Sequence, residues 1–376
     1  MRSRLILVLS AFLIVFGVGL APNGSVTRAL MQGVTEMPDL SGLNVYFSEA
    51  NTENGQFDRG AVGVSRFSAL LRMMGANTFT LEWRKGIPAD ANLVVIPNPK
   101  NALTPEMVAR LWAYLQRGGR VLLVVDALDA AGAVSRAQKD FFDLTWSDLG
   151  LRARNDVLVV PGEQREITIP ATETTAEHVV TGTVLTTAFS SQRVSPDHPI
   201  TSGLVPYLVS ADGASRDNFN SLYFNSARSL EVNGALASAN ITPLIFADAS
   251  GQYGESAYAD YISSGGVSEY NIGSDTPPGD LIVAAAFEDP TLRSRMILLT
   301  DGDFLQNGAG FQTSPSYTGS YVYPNNVRFM VNAVAWLLER DVADLVLPTP
   351  GPTATPTITP SPTPIPPPTA TPTPGA

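Results

Sequence analysis

Cysteine is absent from this chain, which removes disulfides, thiolate metal ligands, cysteine nucleophiles and the lipid-modified cysteine of a bacterial lipoprotein. Histidine is almost as scarce, since only His178 and His198 occur, and no His-Glu-x-x-His motif is present to hold zinc. Charged residues make up 16% of the sequence, below the ~25% of ordinary soluble domains, so Ser, Thr, Asn and Gln must supply much of the polar surface. Positive charge is the scarcest kind. Lys and Arg number 24 against 35 Asp and Glu, a net charge of -11, and no basic cluster interrupts that balance. Binding to a phosphate backbone is thereby excluded, and no nucleic-acid partner is expected. No Gly-x-Gly-x-x-Gly follows a strand and no P-loop occurs, so no cofactor is expected either.

The two ends of the chain differ from its middle. Arg2 and Arg4 precede an apolar run from Leu5 to Leu20, and Ala21 to Gly24 supplies a small-residue break, the pattern of an export signal over residues 1–21. The run is short for a transmembrane span, which favours cleavage over a retained anchor and places the rest outside the cytoplasm, secreted or held at the outer face of the membrane. Any membrane contact is then expected only through an uncleaved N-terminal segment. From Pro348 to Ala376, 12 of 29 residues are Pro and nine are Thr, with no charge and no aromatic side chain. Such a tail cannot bury apolar area and reads as an extended, disordered spacer.

Between these ends the pattern is that of a layered α/β fold. Leu93–Ile96 is a short apolar run suited to a strand buried on both faces. Thr104, Pro105 and Glu106 form a helix start, Val108, Leu111, Trp112 and Leu115 make one apolar stripe, and Gly118 ends the helix before a second buried strand, Val121–Val125. Asn44–Phe47, a helix carrying Phe67, Leu70, Leu71 and Met74 and closed by Gly75, and a strand Thr78–Trp83 precede them, giving β-α-β-β-α-β. Residues 42–144 are therefore expected to form an α/β core with a mostly parallel sheet flanked by helices. Residues 145–280 read as a β-rich section of short strands, Leu204–Val209 among them, separated by turn residues. Residues 281–345 return to the core with two buried strands, Leu281–Phe287 and Met296–Leu299, and a closing helix capped by Asn325 or Asn326.

The segments ANLVVIPNP, LTPEMVARLWAYLQRGGRVLLVVD, DHPITSGL, GDLIVAAAFE, RMILLTDGDFLQN and NNVRFMVNAVAWLL, in that order, resemble an uncharacterised bacterial family of exported or membrane-associated proteins. That family is similar to the auxiliary subunit of the gliding-motility ABC transport system and, more distantly, to intraflagellar-transport proteins and the class I glutamine-amidotransferase-like fold. The resemblance spans residues 42–340. It implies that an amidotransferase nucleophile would occupy the turn after Val121–Val125, where this chain reads Asp126-Ala127-Leu128, and that an activating His would follow a late strand, where Asp301-Gly302-Asp303 stands.

With neither thiol nor imidazole at those places, nucleophile–base catalysis lacks its parts and no catalytic residue is assigned. Glu49, Asp126, Asp129, Asp301 and Asp303 all fall at or just after expected strand ends, where α/β sheets place their ligands. Converging carboxylates there could hold a cation or a hydroxyl-rich ligand, or serve merely as caps, and whether a metal binds is left open. Asn at both 301 and 303 is expected to cap nearly as well while removing the charge. His198, in Asp197-His198-Pro199, is read as a loop residue that caps local backbone. The expected function is a non-catalytic exported binding or scaffold module that recognises a glycan or a cell-envelope protein within a surface or ABC-transport-associated assembly; the alternative is a carboxylate-based hydrolase of cell-envelope carbohydrate.

Overall fold

The computed structural model describes residues 37–129, 135, 138–208, 217–234, 240–259, 267–314 and 320–341. The expected export segment 1–21 and the Pro/Thr-rich tail 348–376 lie outside the described residues. In chain order the first half runs β1 (Asn44–Phe47), α1 (Ser65–Met73), β2 (Asn77–Thr80), β3 (Leu93–Pro97), α2 (Pro105–Gln116), β4 (Arg120–Val124), α3 (Lys139–Asp148) and β5 (Leu151–Ala153). There follow β6 (Val157–Ile169), β7 (His178–Thr186), β8 (Ala188–Ser191), the one-turn helix α4 (Pro199–Ser202), β9 (Leu222–Asn225), β10 (Leu230–Val232), β11 (Asn240–Ala247), β12 (Tyr253–Glu255) and β13 (Val267–Ser268). The last elements are β14 (Leu281–Asp289), β15 (Ser294–Leu299) and α5 (Pro324–Leu337).

A central sheet in the order β2-β1-β3-β4-β15-β14-β10-β5, with β11 also paired to β14, carries the fold. Its first five strands are mutually parallel, as crossovers through α1 and α2 require. From β14 onward the pairings are antiparallel. Strands β5, β10 and β11, all from the β-rich stretch, thus extend the same sheet.

Alternation along each strand divides the core in two. Val45, Phe47, Val95, Leu122, Val124, Ile297 and Leu299 face α1 and α5, whereas Val94, Ile96, Val121, Leu123, Met296 and Leu298 face α2 and α3. Each fully buried Leu, Ile or Val contributes ~1.5–3 kcal/mol of hydrophobic stabilisation. Covering both faces is what makes these strands continuous apolar runs rather than half-polar ones.

The helix ends obey local chemistry where the sequence is read easily. Thr104 Oγ1 accepts the Met107 N–H at 3.3 Å, and Pro105 opens α2. Gly118, at φ 85°, ends it; an added Cβ would sit 2.8 Å from the Leu292 carbonyl oxygen.

Three readings change. The strand expected over Thr78–Trp83 stops at Thr80, because the chain bends into a 3-10 turn, Trp83–Lys85, that sends the Trp83 indole inward to donate to Ser48 Oγ at 2.8 Å. Within Leu204–Val209, Val205–Tyr207 is a 3-10 turn instead of a strand, since Pro206 cannot donate to a ladder. Asn325 and Asn326 do not cap the closing helix: α5 starts one residue earlier, at Pro324, and both amides are buried. Asn325 donates to the carbonyls of Phe219 and Ser221, and Asn326 pairs with both the N–H (2.9 Å) and the C=O (3.0 Å) of Tyr223. All 14 residues of α5 are buried, because β9 and α4 cover the side turned away from the sheet.

Candidate functional site

The carboxyl ends of β1, β3, β4 and β15 lie along one edge of the parallel strands, so the residues that follow them share that edge. After β15, Thr300 is buried and Asp301 begins a short 3-10 turn, Gly302–Leu305. The Asp301 carboxylate is sealed from solvent: Oδ1 accepts the Asp303 N–H at 2.8 Å and Oδ2 accepts the Asn225 N–H at 2.7 Å. Burial, and then the charge of Asp303, raise its pKa well above the ordinary carboxylate value. An Asn at 301 could keep the cap on the Asp303 N–H through its amide oxygen but would then lack an acceptor for the Asn225 N–H.

Asp303 is half-buried, and its Oδ2 accepts the Asn225 side-chain amide at 2.7 Å. Burial raises its pKa, and nearby Asp126 adds to that while the Asn225 bond and Lys100 oppose it. Asp126, after β4, is held by Lys100 Nζ at 2.7 Å and accepts the Leu128 N–H at 3.3 Å. Asp126, Asp301 and Asp303 are therefore brought together. Asp129 is half-buried further along the loop after Asp126. Glu49 is exposed and is engaged elsewhere, accepting the Gln56 N–H at 3.0 Å and the Thr80 hydroxyl at 3.4 Å. Among the described residues no three His, Cys, Asp or Glu side chains are grouped so as to hold a metal ion.

Several residues of this edge are not among the expected ones. Asn98, the first residue after β3, is fully buried at φ 60°, and neither its amide oxygen nor its amide nitrogen has a partner. It presses on Gly302, where an added Cβ would lie 2.3 Å from Asn98 Nδ2. Its position at a strand's carboxyl end is the one signal the sequence carries for it, since an uncharged amide has no chemistry that marks it there. Asn225 and Tyr223 come from β9, a strand of a separate two-stranded sheet, and nothing in their spacing ties them to Asp301.

Both histidines are occupied by backbone. His198 Nδ1 accepts the Ile200 N–H at 3.2 Å as the cap of α4, and its ring meets the Trp336 ring edge-on at 5.1 Å. Burial pushes its pKa down to about 4, so it is neutral at neutral pH. It lines a cavity of about 770 Å³ at the opposite, amino-terminal edge, beside Trp336 and the Arg295–Glu288 ion pair. His178 is exposed, with Nδ1 3.1 Å from the Ala176 carbonyl oxygen.

A family model described as an ABC-type uncharacterized transport system matches residues 63–333. No curated protein sequence matches the chain. Among solved structures it is similar to the mmIFT52 N-terminal domain, at 13% identity and a TM-score of 0.45 over 80% of this chain and 99% of that one. It is also similar to a putative ThuA-like protein from Bacteroides uniformis, at 12% identity and a TM-score of 0.38 over 78% of this chain and 91% of that one.

Proposed function

Because the chain belongs to the family described as an ABC-type uncharacterized transport system, we propose that it is a non-catalytic binding or scaffold module of an ABC-transport assembly at the cell envelope. The observation that carries this reading is the family match across residues 63–333, which includes the carboxyl ends of β3, β4 and β15, the Asp301 turn and most of α5. The state of the edge supports it. Asp301 is committed to two backbone N–H groups and Asp126 to Lys100, so two of the three clustered carboxylates hold loops. The carboxylate hydrolase is the weaker reading, since a paired-acid mechanism needs one carboxyl to deliver a proton and another free to act on the substrate.

The surface offered is the carboxyl edge with the residues flanking Asp303, and the partner is an envelope protein or a glycan. Export through residues 1–21 belongs to the same proposal. Among the described residues no helix is long and apolar enough to cross a membrane. Cross-linking in the native host followed by purification of the tagged full chain tests the reading. An ABC permease and its ATPase should be recovered with it, and cytosolic full-length protein free of both would refute it.

A further inference from the structure

The ligand of the carboxyl edge can be narrowed by what its side chains still need. β9 alternates, burying Leu222 and Phe224 and leaving Tyr223 and Asn225 half-buried on the opposite face, beside the Asp301–Asp303 turn. The Tyr223 ring stacks on Tyr323 with centroids 4.2 Å apart and planes 11° from parallel. Both rings are half-buried, and neither hydroxyl has a hydrogen-bond partner among the described residues. Thr187 donates to Asn225 Oδ1 at 3.0 Å, which turns the Asn225 NH₂ toward Asp303 and leaves that carboxylate with spare acceptor capacity.

Under the turn lies the amide of Asn98. A Cβ on Gly302 would fall 2.3 Å from Asn98 Nδ2 and 2.7 Å from Oδ1, so the amide is aimed at the one residue that separates the two carboxylates. Both its polar atoms are buried and unpaired, and its backbone is left-handed, an arrangement that native proteins rarely keep without a use. Gly302 makes no bond to the Asn98 amide; its carbonyl oxygen accepts from Asn54 Nδ2 at 3.5 Å, and Asp301 ties the start of the turn to the Asn225 N–H.

Resting on the reading of this edge as a binding surface, we propose that the Asp301–Asp303 turn, Asn98 and the Tyr223–Tyr323 pair form a site for a neutral saccharide. The donor and acceptor inventory selects that class. Asp303 already accepts from the Asn225 and Gln306 side chains and has lone pairs left for a further donor, the Asn98 amide lacks both a donor and an acceptor, and the tyrosine hydroxyls take either. A sugar hydroxyl supplies both at once, and its C–H face suits an aromatic ring. A primary ammonium ion only donates and a quaternary one neither donates nor accepts, so either would leave Asn98 Nδ2 unpaired. An anion brings only acceptors to the acceptor oxygens of Asp303 and leaves Asn98 Oδ1 unpaired. Binding draws Gly302 outward and hands the Asn98 amide to the sugar; a side chain at 302 would block the closed state.

Titration of the full chain against an array of neutral mono- to tetrasaccharides, with tetramethylammonium chloride as the cationic probe, tests the assignment. At least one saccharide should bind. Tyr223→Ala should weaken it by about tenfold or more, the loss of one aromatic contact. Asn98→Gly should weaken it as well while leaving the melting temperature unchanged or higher, because glycine accepts the left-handed backbone and carries no orphan amide. Should Tyr223→Ala fail to fold, Asn98→Gly decides. Binding of no saccharide, binding of tetramethylammonium alone, or saccharide binding indifferent to Asn98→Gly each overturns the site. If the transporter subunits are nevertheless recovered with the chain, only this assignment falls; loss of both removes the underlying reading too.

Discussion

At the scale of single residues, Asp301 and His198 have been moved by burial in ways that oppose each other with pH. The Asp301 pKa is raised well above 3.8, first by desolvation and then by Asp303, so the native state holds this proton more tightly than the unfolded chain. Its contribution to stability is fully present below 3.8 and is lost as the pH rises through the folded pKa. Across that window the melting temperature of the full chain should fall with rising pH more than that of Asp301→Asn, and superimposable profiles would contradict this. His198 runs the other way. Its pKa falls from 6.5 to about 4, so the neutral ring stabilises the fold above 6.5 and that contribution is lost as the pH drops toward 4. Proton NMR should place the imidazole midpoint near 4; a midpoint at its ordinary 6.5 would mean the ring is not desolvated.

At the scale of elements, α5 shows how a polar side chain can stand in for a strand. The Asn326 amide completes the hydrogen bonding of Tyr223 on the side of β9 away from β8, which a hydrophobic residue could not do. Asn326→Ala strands one buried N–H and one buried C=O, and should cost ~2–4 kcal/mol, seen as a lower urea midpoint. Thr104→Ala, which removes only the α2 cap, should cost ~1 kcal/mol in the same assay. If the two variants lose equal stability, Asn326 is not acting as the strand's partner. The α2 cap was legible in sequence because its chemistry is local, Thr-Pro-Glu ahead of an apolar stripe. The Asn326 role was not, because Tyr223 lies about a hundred positions earlier. Local capping statistics favour the wrong answer for Asn325-Asn326 just where tertiary pairing has claimed them.

At the scale of the whole molecule, stability should be graded outward from the strands covered on both faces. In β3 the residues Leu93 to Ile96 are all fully buried, whereas in β6 residues 162–166 are exposed as part of a long ribbon with β7. The stretch carries no buried side chain, so hydrogen exchange should be much faster over 162–166 than over β3 and β4. Equal protection would show that the ribbon is covered by something else. Truncation after Leu347, which removes the Pro/Thr-rich tail, should leave the melting temperature within error, because a sequence of that composition does not join a packed core. A loss of several degrees would show that it docks.

The amino-acid sequence by itself determined the parallel half of the fold, the helices α1, α2 and α5 and the absence of a thiol–imidazole pair, because apolar periodicity, caps and composition act within a few residues. It also placed Asp126, Asp301 and Asp303 at strand ends, and the parallel register then brought them to one edge. Only the tertiary structure decided what those carboxylates do. Asp301 became a sealed double acceptor through β9, Asp126 was claimed by Lys100, and Glu49 turned away to the loop beside β2. The same holds for Asn98 and the Tyr223–Tyr323 pair, whose environments are set by Gly302 and α5. Burial and hydrogen-bond partnership are properties of distant segments meeting, and no local pattern encodes them.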